Sequence, residues 1–245
     1  MLCLQSLLVL QSLLVIKLLL IIRSNTMIIS FLNQKGGAGK TALARAVAAE
    51  FIRNKWAVHV ADMDTVQKTF FNWAGRREES GVTPSIEVAL YREPKAALKA
   101  AENHDLLIVD GKAFADKHVL DFAEASDLIV LPVGISTDDL EPTLKLATEL
   151  LNKGVDRSKM LFVVCKVPKN GDREAMNTRA SINNWGFTAA QGWIPMQTGY
   201  SKAMDTGRTL TETPYKNLNL VTDKIIQQIV DRVTQVNNAN MKQGA

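Results

Sequence analysis

The 245-residue chain has only two cysteines, Cys3 and Cys165, in unrelated segments and without metal-ligand spacing. That scarcity excludes a disulfide framework and gives no sign of a zinc or iron–sulfur centre; it fits a reducing cytosol. The three histidines, His59, His104 and His118, show no spacing suited to a metal or a catalytic dyad. Trp56, Trp73, Trp185 and Trp193 read as packing residues. Neither sign of charge dominates: 29 Lys and Arg stand against 25 Asp and Glu, a net charge of +4. So mild an excess fits contact with a polyanion and equally an ordinary surface. No linker interrupts the chain past residue 26, and 47% hydrophobic content is ample for the core of one α/β domain.

What is abundant comes first. Residues 1–22 are mostly Leu, Ile and Val, long enough to resemble a signal anchor with Arg23 on its flank. Gln11, Ser12 and Lys17 interrupt the run, no small-residue cleavage site precedes Met27, and Leu4-Gln5-Ser6-Leu7-Leu8-Val9 recurs unchanged from Leu10 to Val15. A perfect six-residue repeat points to repeated DNA. The expectation is that residues 1–26 lie outside the fold, upstream of a working start at Met27. The domain then spans 27–236, and the polar tail 237–245 is expected to be disordered.

Within the domain, short apolar runs alternate with amphipathic stretches, the pattern of parallel βαβ units with right-handed crossovers. The expected class is α/β, a doubly wound, mostly parallel sheet flanked by helices. Strands are expected at 27–33, 57–62, 106–110, 128–132, 161–165 and near 192–194. Helices are expected at 41–53, at 138–152 with Pro142 in its first turn, and from 217 to about 236. On the last, Leu218, Leu220, Val221, Ile225, Ile226, Ile229, Val230 and Val233 fall on one face and suit core packing.

Lys35-Gly36-Gly37-Ala38-Gly39-Lys40-Thr41 follows the apolar run Ile28-Ile29-Ser30-Phe31-Leu32 and opens an alanine-rich helix. This is the context of a phosphate-binding loop. Glycines let backbone N–H groups face an anion, and the helix adds the positive end of its dipole. Lys40 supplies a point charge and Thr41 a hydroxyl for magnesium. Asp110 ends the apolar run Leu106-Leu107-Ile108-Val109, the Walker B arrangement in which a strand-end carboxylate holds magnesium through water.

The extra lysine, Lys35, with Asn33-Gln34 before it, resembles the deviant Walker A loop of the ParA/MinD family of partition and positioning ATPases. The resemblance runs from Met27 to about Val233. It implies binding and hydrolysis of ATP with Mg2+, and an ATP-dependent homodimer in which Lys35 reaches the partner's nucleotide much as an arginine finger does. Asp62 and Asp64 stand where the family places its Asp-x-Asp switch. By resemblance Asp64 orients or activates the attacking water, and Asp62 supports the magnesium shell or the loop. The family usually continues with Pro-Gln, whereas Thr65-Val66-Gln67 follows here; Gly111-Lys112-Ala113 likewise replaces a Pro/Gly-rich turn. Cys165-Lys166-Val167-Pro168 occupies the place where relatives often carry an adenine-reading asparagine. Tyr200-Ser201-Lys202-Ala203, Gly207 and Glu212 resemble the family's late nucleotide-proximal helix and turn.

The function implied is DNA segregation of a plasmid or chromosome, in the cytoplasm and on the nucleoid, with a ParB-like partner. Arg173, Arg179, Lys202, Arg208 and Lys216 are candidates for nonspecific contact with DNA phosphates. No helix-turn-helix segment precedes Met27, which leaves operator recognition to the partner. A MinD-like membrane-positioning ATPase is an alternative, disfavoured because residues from 237 are neutral and polar. An accessory ATPase of conjugation or T-DNA transfer is another. A nitrogenase-reductase type of carrier needs cluster-bridging cysteines that Cys165 alone cannot supply.

Overall fold

The computed structural model describes residues 26–112 and 118–243, with side chains as far as Val236. The apolar run before Thr26, residue Ala113 and the last two residues lie outside the described residues. The strands are β1 (Met27–Phe31), β2 (Val58–Asp62), β3 (Val88–Leu90), β4 (Leu106–Asp110), β5 (Leu128–Val133), β6 (Met160–Val167), β7 (Thr188–Ala189) and β8 (Ile194–Pro195). The helices are α1 (Lys40–Arg53), α2 (Thr69–Glu79), α3 (Pro94–Ala100), α4 (Val119–Ala125), α5 (Thr137–Asn152), α6 (Asp172–Asn184), α7 (Thr198–Asp205) and α8 (Lys216–Gln243).

The strands pair in the order β3-β2-β4-β1-β5-β6-β7, with β8 joined separately to the end of β6, and every pairing is parallel. Strands β2, β4 and β5 are buried at every position because helices cover both faces of the sheet. Under α1, α2 and α8 the core includes Phe31, Phe51, Trp73 and Ile229. Under α5 and α6 it includes Leu131, Phe162 and Ile182, and a smaller cluster under α3 and α4 holds Ala97, Leu107 and Phe122.

Several expectations need correction. The last helix continues to Gln243 through the tail expected to be disordered. No Gly or Pro stands between residues 237 and 243, so the backbone ladder propagates once the packed part has nucleated it. Within that helix Val221 is exposed and Leu218 and Leu220 are half-buried, while Thr222 turns inward with Ile225, Ile226, Ile229, Val230 and Val233. Trp185, expected in the core, is 58% exposed at the end of α6.

Strand order fixes the site. The chain leaves central β1 toward β2 on one side, whereas β5 lies on the other, so the crevice at the carboxyl ends of β1 and its neighbours is a topological switch point. Asp110 is in register with Phe31 of β1 and with Asp62 of β2. Two carboxylates from segments 48 residues apart thus arrive at one level.

Candidate functional site

The loop between β1 and α1 needs its glycines. Gly37 and Gly39 have φ of +74° and +114°, left-handed conformations that side-chain-bearing residues rarely adopt. A Cβ on Gly39 would also sit 3.4 Å from Cys165 Sγ. No side chain caps α1, so its first-turn N–H groups remain for an anion. Asn33 braces the root of the loop: its Nδ2 donates to Pro132 O (2.6 Å) and Thr143 Oγ1 (3.0 Å), and its Oδ1 accepts from Lys35 N (2.7 Å).

The loop walls a cleft of about 300 Å³, closed on the far side by Arg45, Asp62, Asp64, Asp110 and Lys166. Lys40 is 7% exposed and donates to Lys35 O at 3.3 Å. Burial lowers its ammonium pKa, and Asp110 and Asp64 oppose that shift. Gly36, Gly37, Ala38, Gly39 and Thr41 line the same cleft. Lys35 does not: its Nζ lies 2.5 Å from Asp139 Oδ1 and 3.5 Å from Asp138 O, at the start of α5. Burial alone would raise the Asp139 carboxyl, but hydrogen bonds from Lys35 and Ser136 hold it below the usual value.

Asp110 is 4% exposed, and its Oδ1 is buried without a hydrogen-bond partner. Burial pushes its carboxyl up to about 7 even though the Thr41 hydroxyl bonds to it. An orphaned carboxylate oxygen beside a threonine hydroxyl is a donor set that suits Mg2+. Asp62 is 1% exposed and spends its oxygens on backbone: Oδ1 accepts from Asp64 N (3.0 Å), Oδ2 from Phe70 N (3.0 Å) and Phe71 N (3.1 Å). Burial raises it and these bonds oppose the rise. Of the two expected uses of Asp62, the geometry favours support of the switch backbone and the start of α2 over a place in the metal shell. Asp64 is half-buried, and its Oδ1 accepts from Val66 N and Gln67 N, so Thr65-Val66-Gln67 closes a turn on that carboxylate without proline. Gly111 has its own reason: a Cβ there would meet Phe31 O at 2.8 Å.

One cleft residue escaped the sequence reading, and a second, Lys166, was marked only by its place in the segment expected near the base. Arg45, on the fourth position after Thr41, is 5% exposed and stacks over Trp73 and Phe70 at 4.7 and 5.5 Å while donating to Thr69 O at 2.5 Å. Burial lowers its pKa to about 10 against the pull of Asp110. A basic residue inside an alanine-rich helix was the available signal. Lys166 takes a left-handed φ of +59°, and a Cβ on Gly37 would lie 3.6 Å from its Nζ. It also borders an adjoining cavity of about 170 Å³ that includes Cys165, Ile194, Pro195 and Tyr200. The Cys165 thiol is buried there, its pKa raised to about 12 by desolvation.

The five basic residues suggested for DNA do not share one element. Arg173 and Arg179 lie on α6, Lys202 on α7, Arg208 in the following loop and Lys216 at the start of α8. Arg179 is committed elsewhere, donating to Ala190 O (2.8 Å) and Gln191 Oε1 (2.6 Å), whereas the other four are exposed. Glu212, from the late turn, accepts both terminal nitrogens of the fully buried Arg77 at 2.7 and 2.8 Å.

A parallel doubly wound sheet with a glycine-lysine loop at its switch point and a strand-end aspartate beside the loop's threonine defines a P-loop nucleotide-binding protein. The chain belongs to the CobQ/CobB/MinD/ParA nucleotide-binding domain family, whose model matches residues 29–242. A Thermus thermophilus protein described as a probable plasmid-partitioning ParA is 23% identical over 85% of this chain and 77% of its own length. Among solved structures, Pyrococcus horikoshii MinD complexed with Mg-ADP superposes with a TM-score of 0.67 at 15% identity, over 86% of this chain and 98% of that one. The Cyanothece McdA–ATP complex gives 0.64 at 15% identity, over 86% and 97%. Those structural likenesses establish the fold. No described helix is long and apolar enough to cross a membrane.

Proposed function

We propose that this chain is a magnesium-dependent ATP hydrolase that dimerises with ATP, binds nucleoid DNA nonspecifically and drives segregation of a plasmid or chromosome with a ParB-like centromere-binding partner. One observation carries the reading: the two lysines of a single loop diverge. Lys40 enters its own cleft, while Lys35 stands outside it against Asp139. A lysine that stays out of its own cleft supports a use on a neighbour's, once it leaves Asp139.

Each residue then has a task. The N–H groups after Gly37 and the Lys40 ammonium hold the outer phosphates. Thr41 and Asp110 would hold Mg2+, with Asp62 bracing the segment between them and α2. Bound there, Mg2+ supplies positive charge against the phosphate oxygens. Asp64, half-buried at the cleft edge, orients water for attack, and Lys35 of a second subunit stabilises the charge that develops on the transferring group. The neighbouring cavity suits a planar base, with Ile194 and Pro195 offering apolar surface.

The partition role draws on the Thermus relative and on the exposed cations Arg173, Lys202, Arg208 and Lys216. The test is DNA binding by the purified chain with ATP and magnesium. Retention that falls steeply with salt supports it, and absence of ATP-dependent binding at low salt refutes the segregation role.

A further inference from the structure

Two of the chain's three histidines meet at one place far from one another in sequence. His59, on β2, and His104, in the turn before β4, have ring centroids 5.0 Å apart at a 40° tilt. Between them comes Glu87, just before edge strand β3. His59 Nδ1 is 3.1 Å from Glu87 Oε1, and His104 Nε2 is 3.9 Å from Glu87 Oε2. One ligand atom from each of the three residues falls within 4.8 Å of the others. We propose that His59, Glu87 and His104 form a binding site for a divalent transition-metal ion, zinc being the type, separate from the nucleotide cleft.

The geometry is close to what zinc requires. With bonds of about 2.0–2.1 Å and tetrahedral angles, two ligand atoms stand roughly 3.4 Å apart; His59 Nδ1 and His104 Nε2 lie 3.1 and 3.9 Å from the two oxygens of Glu87, one each, and the three ligand atoms fall within 4.8 Å, so a small adjustment brings them onto one ion. Two imidazoles and a carboxylate are also a zinc donor set, leaving one position for water.

Hydrogen bonding explains His59 but not His104. The His104 Nδ1 is buried with no partner, and 3.9 Å is too long for a hydrogen bond from Nε2. With the proton on Nδ1, the Nε2 lone pair faces Glu87 without a hydrogen bond to it and is the one an ion would take. On the other side, His59 Nε2 lies 2.8 Å from the Tyr91 hydroxyl. With Nδ1 on the metal, Nε2–H donates to that oxygen, the outer contact that usually orients a metal-bound histidine.

The site does not depend on the nucleotide reading. None of its three residues lines the phosphate cleft. His59 and Asp62 are three residues apart on one strand, hence on opposite faces and about 10 Å apart along it. A bound ion would tie the edge strand to β2 and to the turn before β4.

The test uses the full chain, dialysed against excess Mg2+ without nucleotide and titrated with Zn2+ and, separately, with Co2+. One tightly held zinc per chain is expected, with a Co2+ spectrum of tetrahedral intensity that zinc abolishes. His104→Ala and Glu87→Gln should each weaken zinc by at least about tenfold, and Tyr91→Phe by about tenfold. Asp110→Asn should leave it unchanged. Glu87 is 66% exposed at its side chain, so its variant separates lost binding from lost folding. Failure to retain zinc, retention undiminished in either His104→Ala or Glu87→Gln, or loss in Asp110→Asn would each overturn the site.

Discussion

The Lys35 ammonium lies 2.5 Å from the Asp139 carboxylate of the same chain, on the rim of the phosphate cleft and outside it. The pair is partly exposed, 43% and 25% at the two side chains, so its strength is that of a surface ion pair, at most about 1 kcal/mol. It competes with any use of Lys35 across an interface. Asp139→Asn should therefore lower the protein concentration needed for ATP-dependent dimerisation, by no more than about fivefold. Sedimentation equilibrium of the two proteins with ATP and magnesium measures it, and a variant that dimerises less well contradicts the competition.

Lys40 is the loop's own cation inside the cleft, and its replacement removes both a charge and the group that spans the loop to Lys35 O. Lys40→Ala should abolish nucleotide-dependent dimerisation and ATP turnover while leaving the fold intact. Retained dimerisation with ATP in that variant would refute the assignment of the loop.

Asp110 combines stability cost with function. Its carboxyl titrates at about 7 because burial disfavours the charge. In the unfolded chain it titrates near about 4. Between those values the folded state keeps a proton that the unfolded state has released, so the nucleotide-free chain loses stability as pH rises through that window. Asp110→Asn removes the effect. It should be more stable than the parent at about pH 8, nearly equal at about pH 4, and unable to use Mg2+ with ATP. Urea unfolding across the range gives the comparison.

Arg77 and Glu212 form a bidentate pair in which the arginine has no exposure, and Arg53 also contacts Glu212. Burial would raise the Glu212 carboxyl, but bonds from Arg77 and from Thr209 N–H hold it below its usual value. The stabilisation is complete above the unfolded value near about 4.3 and is lost as pH falls through the lower folded value. Glu212→Gln leaves a buried guanidinium short of its counter-charge. A loss of about 3–5 kcal/mol is expected at neutral pH, with a flatter acid limb of the stability curve.

Of the basic residues proposed for DNA, Lys202, Arg208 and Lys216 belong to the α7–α8 segment and are exposed. Neutralising any one that contacts a phosphate should reduce the slope of log affinity against log salt by about 1 without altering sequence preference. Arg179→Ala should change that slope little, because its guanidinium is already bound to Ala190 and Gln191.

The parts legible in the sequence are those whose physics is local. The loop from Lys35 to Thr41 declares itself because glycines at fixed offsets are needed for left-handed φ, and strands β1 and β4 because both faces are buried along a continuous apolar run. Strand β3 is three half-buried residues and β7 only two, too short for any periodicity to mark them. The tryptophans divided: Trp73 has no exposure, whereas Trp185 stands at a helix end. What stayed hidden depends on partners distant in sequence. Arg77 meets Glu212 across 135 positions, His59 meets Glu87 across 28, and Arg45 finds its stacking rings only once α2 is docked. For Asp62, support of the loop was one of the two uses the sequence offered, but its partners were not legible, because Phe70 and Phe71 carry no sign of the bonds they make.

The central claim is that Lys35 acts on the neighbouring subunit's nucleotide, and mixing two inactive variants tests it most directly. Lys35→Ala keeps an intact Asp64 but cannot assist a partner; Asp64→Ala keeps Lys35 but has no residue to orient water. Each alone should be nearly inactive. Mixed in equal amounts with ATP and magnesium, they should hydrolyse ATP well above either alone, because Lys35 of the Asp64→Ala subunit completes the other's site. A mixture that dimerises with ATP yet stays as inactive as its components would contradict action across the interface.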